Sequence, residues 1–256
     1  MTGLAAWYAT HGRHDLAWRA TRDRWAVLVS EVMLHQTQVP RVEAAWPVFI
    51  HQFPTAEAMA NTSPGAVITA WGRLGYPRRA RRLWETATLI ANDGWPNDLV
   101  SLPGIGRYTA LAVRAQVDDA EVAAVEVNVR RVVERVVGRR LTTREAEAAS
   151  LRVGRPLRGR DRFLALMDVG AVLCRPREPQ CPRCPLRRRC ESRGPLVGET
   201  RSRQAPFEGS FRQRRGRVME RLREGPVAAD ELDADALATL VADGLAVVRR
   251  GTARLP

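Results

Sequence analysis

From residue 24 to residue 200 the chain reads as a succession of short helices separated by Gly, Pro and Asn breaks. Trp25, Leu28, Val29, Val32 and Met33 recur at i, i+3, i+4, i+7 and i+8, which is one helical face. Ala26 to Leu34 is apolar at nearly every position, so this helix is expected to be buried. Residues 55–61 and 64–74 predict two more short helices, with Pro54 and Pro64 near their starts, and Arg78 to Asn92 predicts another. Strand signals are scarce before residue 240. Residues 201–209 turn polar and irregular and predict a linker. Beyond it, 211–223 and 234–243 have helical spacing, and Leu245–Arg249 with Thr252–Leu255 predict a hairpin around Arg250 and Gly251. Two helices followed by a basic hairpin predict a small winged-helix-like module; a basic tail with local helix is the alternative. The fold class is all-α.

Composition adds a partner and removes several chemistries. The 256 residues include 41 basic and 28 acidic side chains, a formal net charge of +13, and every basic residue is arginine. Without lysine there is no Schiff-base amine, no phosphate-cradling lysine and no side-chain amine nucleophile. The charge, with a pI near 11.2, favours an anionic partner, above all nucleic acid. The opening residues lack the layout of a signal peptide, and no run of ~18 apolar residues predicts a membrane span. All four cysteines fall between residues 174 and 190, which argues against a disulfide framework and for a metal site in a reducing compartment, hence a cytoplasmic location.

Three features carry chemistry. Cys174, Cys181, Cys184 and Cys190 are spaced C-x6-C-x2-C-x5-C, a set able to wrap one cluster or one zinc ion. Zinc ribbons usually carry two C-x2-C-type pairs, and this run has one. Arg175, Arg177, Arg183, Arg187, Arg188 and Arg189 sit in or beside these loops, where a rigid centre would present them to a phosphate backbone. Leu102-Pro103-Gly104-Ile105-Gly106, followed by Arg107-Tyr108, places two glycines before a helix start. Backbone N–H groups approach a phosphate closely there, as in a helix–hairpin–helix clamp; a plain structural turn is the alternative. Glu31 is the only charge in residues 26–34, and Glu126 the only charge in residues 122–129. Burial raises a carboxylic acid's pKa and makes it a general acid, and two such groups suit glycosidic bond cleavage; paired structural glutamates would show the same pattern.

Taken in order, SEVMLHQTQV (30–39), LGYPRRARRL (74–83), LPGIGRYTA (102–110), NVRRV (128–132) and LMDVGAVLC (166–174) resemble segments of the helix–hairpin–helix DNA glycosylases that carry an iron–sulfur cluster, most closely the adenine-DNA glycosylases of the MutY type. The resemblance spans about residues 7–195 and includes the cysteine spacing. It implies a [4Fe–4S] cluster on Cys174, Cys181, Cys184 and Cys190. By position, Glu31 matches the general acid that protonates the flipped base. Trp18 and Arg19 match residues lining the base pocket, with His14 standing where the family usually has arginine. Tyr76 matches an aromatic wedge, with Arg78 in the same basic segment. Gln36 and Thr37 match residues near the inserted strand. Leu102, Gly104, Gly106 and Arg107 belong to the clamp. Tyr108 stands where lyase-active relatives carry lysine, Asn128 matches a residue supporting the DNA-side turn, and Asp168 a carboxylate near the active-site helix. Glu126 occupies the position of the family's catalytic aspartate. Its extra methylene displaces the carboxylate by about 1 Å, worth on the order of 100-fold where geometry is tight. Ala17 and His35 replace a proline and a glutamine. The long C-terminal domain that reads 8-oxoguanine in these enzymes is not expected in its usual size within residues 206–256.

These readings imply a two-domain helix–hairpin–helix glycosylase fold: a six-helix barrel over 21–133, a cluster domain from 1–20 and 134–200, a linker over 201–209 and the winged-helix-like module over 210–256. The expected activity is monofunctional hydrolysis of the N-glycosidic bond of a flipped base in mismatched or damaged double-stranded DNA, adenine opposite 8-oxoguanine or guanine first. No efficient lyase step is expected. The protein would act as a monomer, associated with the nucleoid. Two other readings stay open: a glycosylase for another base (thymine or uracil opposite guanine, or hypoxanthine), and a protein that binds mismatched DNA without cutting.

Overall fold

The apolar periodicities become twelve α-helices among the described residues, 3–199 and 206–256 of the computed structural model. They are α1 (Leu4–His11), α2 (Arg24–Leu34), α3 (Val39–Gln52), α4 (Ala56–Ala60), α5 (Pro64–Trp71), α6 (Arg78–Asp93), α7 (Arg107–Val117), α8 (Val127–Val137), α9 (Thr143–Val153), α10 (Gly159–Asp168), α11 (Phe211–Glu224) and α12 (Ala234–Ala242). Of the expected linker, residues 201–205 lie outside the described residues. The chain divides into two compact units: Met1–Glu31 with Gly106–Arg201, and Val32–Ile105 with Ser202–Pro256.

In the first unit α8 is the central helix. Val129, Val132 and Val133 repeat at i, i+3 and i+4 and are buried with Leu4, Phe163 and Leu166. Residue 133 falls inside this helix, and α7 to α10 share one core. Glu126 caps the start of α8, and Gly138 ends it in the left-handed conformation at φ 84°. A capping box of Thr142 and Glu145 starts α9. After α10 the chain widens into one π-helical turn, Val169–Leu173. Gly170 there lies so close to α8 that a Cβ would sit 2.8 Å from the Asn128 carbonyl oxygen, so only glycine fits.

The second unit buries Val42, Trp46, Phe49, Phe53, Ile68 and Trp71. Phe49 meets Phe53 and Trp71 edge-on, with ring centroids 5.0 and 5.7 Å apart. The helix expected over 64–74 stops at Trp71, because Gly72 turns to φ 55° and a 3-10 turn, Gly72–Leu74, follows. The same unit contains the C-terminal module. Its strands β1 (Val227–Ala228), β2 (Val247–Arg249) and β3 (Thr252–Arg254) form an antiparallel sheet in the order β1-β3-β2. Two-residue β1 carries no alternation that the sequence could reveal. Arg250 and Gly251 are both left-handed, at φ 50° and 76°, as a tight two-residue hairpin requires. The order helix, strand, helix, hairpin is that of a winged helix. The module docks through its last residue, where the Gly65 amide donates to the Pro256 carbonyl at 2.8 Å.

Candidate active site

Glu31 lies near the end of α2 in an apolar helix, is only 6% exposed, and faces two donors from α7. Its Oε1 accepts from Gln116 Nε2 at 2.7 Å, and the Tyr108 hydroxyl donates to the same carboxylate. Burial pushes the Glu31 pKa from 4.5 to about 7; the two donors and the Arg19 charge pull it down and the Glu126 charge pushes it up. Glu31 is therefore half-protonated near neutral pH. Burial and the adjoining Glu31 and Glu126 charges hold the Tyr108 phenol well above its ordinary value, so it stays a neutral donor.

Glu126 is held in a different way. As the N-cap of α8, its Oε1 accepts from the Asn128 and Val129 amides at 2.7 and 2.8 Å, and its Oε2 from Asn128 Nδ2 at 3.1 Å. Burial raises its pKa, while these donors and the Arg131 charge oppose the rise. Helix α8 directs its positive dipole end at this carboxylate. Three N–H donors and a helix terminus favour an anion; full burial with two donors favours an acid. The two carboxylates are thus set for different roles by their surroundings. Asn128 works on Glu126, and it is oriented in turn by Arg131, whose Nη2 donates to Asn128 Oδ1 at 2.6 Å. Arg131 also binds the Gly170 and Cys174 carbonyls at 2.7 and 2.6 Å.

Of the other residues expected in the base pocket, Arg19 and Asp168 are tied to each other. Asp168 is fully buried, and its carboxylate receives Arg13 Nε at 2.6 Å and both Arg19 Nη atoms at 2.7 and 2.8 Å. Burial alone would raise its pKa, but these arginines leave it lowered, so it stays an anion that fixes Arg19 in place. His14 bonds the Tyr8 carbonyl at 2.7 Å and lies against the Tyr8 ring. Trp18 is buried.

In the second unit, two loops expected to reach DNA share an unusual backbone. Gln36 and Tyr76 are both left-handed, at φ 56° and 49°, which costs strain in residues other than glycine. Arg79 links these loops. Its Nη1 donates to the Val32, Met33 and His35 carbonyls, and its Nη2 to Thr37 Oγ1 and the Leu74 and Gly75 carbonyls, over 2.6 to 3.2 Å. It also lies 5.5 Å from the centre of the Tyr76 ring, which is 43% exposed. Arg78 pairs with Asp243 at 3.3 Å.

Leu102, at the start of the glycine loop, is buried. Gly104 is left-handed at φ 77°, and a Cβ there would meet the Arg82 side chain at 2.9 Å. In the first unit, Gly106 caps α7 with open space around its Cα, leaving the first amides of α7 approachable, and the adjacent Arg107 pairs with Glu147 at 2.8 Å. Sequence reasoning missed Gln116, Arg131 and Arg79. A lone amide in ALAVRAQV (110–117) was the only local sign of Gln116; one arginine among 41 signals nothing.

Cys174, Cys181, Cys184 and Cys190 are free thiols lining one pocket, with Val132, Val169, Leu173 and Leu186 among its walls. No three His, Cys, Asp or Glu side chains among the described residues converge on a point where a single ion would sit. Four thiols around one pocket are a donor set that a polynuclear centre can use. Arg135 lies beside them, with Nη1 3.5 Å from Cys174 Sγ.

The first unit thus holds a helical site with a buried acid, Glu31, and a helix-capped carboxylate, Glu126. A family model described as HhH-GPD superfamily base excision DNA repair protein matches residues 29–156, and the chain belongs to that family. It is 41% identical over 266 residues to the adenine DNA glycosylase of Mycolicibacterium smegmatis, covering 94% of this chain and 90% of that one. It is 43% identical over 251 residues to the adenine DNA glycosylase of Mycobacterium tuberculosis, with 91% and 82% covered. Among solved structures, a thermostable thymine-DNA glycosylase aligns with TM-score 0.66 at 28% identity, covering 74% of this chain and 93% of that one. A non-covalent endonuclease III–DNA complex aligns with TM-score 0.62 at 20% identity, covering 74% and 91%, and shares the fold.

Proposed function

We propose that the protein is a monofunctional DNA glycosylase that removes adenine mispaired with 8-oxoguanine or guanine. The observation that carries this is the unequal carboxylate pair, Glu31 buried as an acid and Glu126 capped as an anion, in a chain close to adenine DNA glycosylases. Tyr76, on its strained loop, enters the duplex beside the mispair, and the target nucleotide turns out of the stack. The amides at the start of α7 take a phosphate. Glu31 gives its proton to the departing base as the C1′–N bond breaks. Glu126 stabilises the positive charge that develops on the sugar. Water then forms the C1′–O bond and returns a proton to Glu31, leaving an abasic site. Gln116 and Tyr108 hold the Glu31 carboxyl, and Asn128 and Arg131 hold Glu126.

Cys174, Cys181, Cys184 and Cys190 would hold a [4Fe–4S] cluster, which supplies a rigid cross-link of the loops that follow α10. No helix among the described residues is long and apolar enough to cross a membrane, and we assign the protein to the reducing compartment that holds the chromosome, working as a monomer. Purified protein should be brown, with broad absorption near ~400 nm; a colourless protein holding one zinc would overturn the cluster. The test of activity is base release from A·8-oxoG, A·G, T·G, U·G and hypoxanthine duplexes at stated salt. Release fastest from A·8-oxoG or A·G is expected. Release from T·G or U·G alone would replace the substrate, and release from none, with mismatch binding intact, would make the protein a binder.

A further inference from the structure

The C-terminal module is docked against the helices that carry the wedge loop. Besides the Gly65–Pro256 bond, Arg81 Nη1 donates to the Asp243 carbonyl at 3.2 Å, and Arg223 Nε to the Ile68 carbonyl at 3.4 Å. Arg78, two residues after Tyr76, reaches the Asp243 carboxylate. Asp243 stands four residues before β2, so the hairpin begins close to the first turns of α6.

Charge within this module is sorted. On α11, three of the six arginines meet carboxylates: Arg214 with Asp233 and Asp235, Arg215 with Asp243, and Arg221 with Glu231. The hairpin differs. Arg249, Arg250 and Arg254 are exposed, and among the described residues no carboxylate pairs with any of them. Helix α12, which follows β1 in the place where a winged helix usually presents its reading helix, carries one acid and no base. A module that pairs Arg214, Arg215 and Arg221 with carboxylates and leaves three exposed arginines together on a tight hairpin presents an anion-binding edge at the wing.

We propose that the hairpin wing, Arg249, Arg250 and Arg254, grips the phosphate backbone of the duplex outside the stretch held by the glycine clamp, without reading bases. The proposal rests on the DNA-repair reading above, and gives residues 206–256 a role in holding the duplex rather than in choosing the base.

The test is fluorescence anisotropy of the full chain on a fully paired duplex and on one with a central A·8-oxoG pair, across about 50 to 200 mM salt. Three forms are compared: Arg249→Gln with Arg250→Gln and Arg254→Gln together, the same three positions changed to lysine, and Arg217→Gln, which removes an exposed charge from α11. The triple glutamine form should lower the slope of log affinity against log salt by about 0.9 for each phosphate that is no longer neutralised, equally on both duplexes. Its single-turnover base release at saturating enzyme should be unchanged, and the lysine form should restore the slope. Arg217→Gln should leave the slope as it was. An unchanged slope in the triple glutamine form, or a decrease no greater per charge than that of Arg217→Gln, would overturn the wing's role. Weak binding with an unaltered melting temperature in only the glutamine form supports it. Absence of base release from every duplex would refute the glycosylase reading and leave the slope measurement standing on the fully paired DNA.

Discussion

Burial favours the protonated form of Glu31, and this has an effect on stability as well as on rate. Folding raises its pKa from 4.5 to about 7, so its contribution is full below about 4.5 and is lost as pH climbs to about 7; above that the buried anion costs stability. Glu31→Gln should therefore raise the melting temperature at about pH 8 by a few degrees and change it little at about pH 5. The same change should lower base release at least about 100-fold, and release by the unaltered enzyme should fall as pH rises through 7. Calorimetry and single-turnover rates across pH check both. Glu126→Asp tests the other carboxylate. Aspartate caps a helix at least as well, so stability should hold, while the carboxylate moves by about 1 Å and the rate should rise roughly tenfold to 100-fold. An unchanged rate would mean that this position does not limit the reaction. Both glutamates were legible in the sequence as lone charges in apolar runs. Gln116 and Arg131 were not, because their partners lie 85 and 43 residues away, and residue type alone does not say where a long side chain ends.

At the scale of elements, a single guanidinium fixes two loops. Arg79 closes the end of α2 and joins the Gln36–Thr37 turn to the Gly75–Tyr76 turn through six acceptors. A lysine ammonium is a point donor that cannot span both turns. Arg79→Lys should keep the fold, yet release base about tenfold more slowly at limiting enzyme and regain most of the rate at saturation, because Tyr76 is no longer presented in place. Comparing the two regimes separates this from a simple loss of stability, which would lower both. The glycine loop is tighter still. At Gly104 an alanine would meet both a left-handed backbone and the Arg82 side chain, so Gly104→Ala should destabilise by at least about 1 kcal/mol and weaken DNA binding, read by denaturant melts and anisotropy. Helices α2, α6, α11 and α12 and the hairpin turn were readable from periodicity and from Arg250-Gly251. The early end of α5 and the short β1 were not. The first depends on Gly72 taking a positive φ, and the second on pairing with a strand 25 residues further on.

Across the whole molecule, part of the arginine total is tied up in ion pairs, so the excess of +13 is carried by the arginines outside them. Arg13 and Arg19 neutralise Asp168, Arg135 pairs with Glu199, and Arg107 and Arg78 each meet a carboxylate. What is left for DNA is local, and all of it is arginine. That restriction reaches the chemistry. A glycosylase that also cuts the strand first attacks C1′ with an amine and passes through a Schiff base, which borohydride reduces to a covalent protein–DNA adduct. Here the position that would supply that amine is Tyr108, a neutral phenol already donating to Glu31, and no lysine exists anywhere in the chain to replace it. In the mechanism proposed above, water is the nucleophile, with Glu31 as the acid and Glu126 facing the sugar cation. Incubating the protein with its substrate duplex and borohydride should yield no adduct on a denaturing gel, while base release proceeds at its usual rate. The product strand should break only after alkali or heat. Tyr108→Lys puts the amine beside Glu31 and should produce a trapped adduct if the pocket geometry is as described. A borohydride adduct with the unaltered chain would show that some other amine reaches C1′, and the hydrolytic assignment would fall.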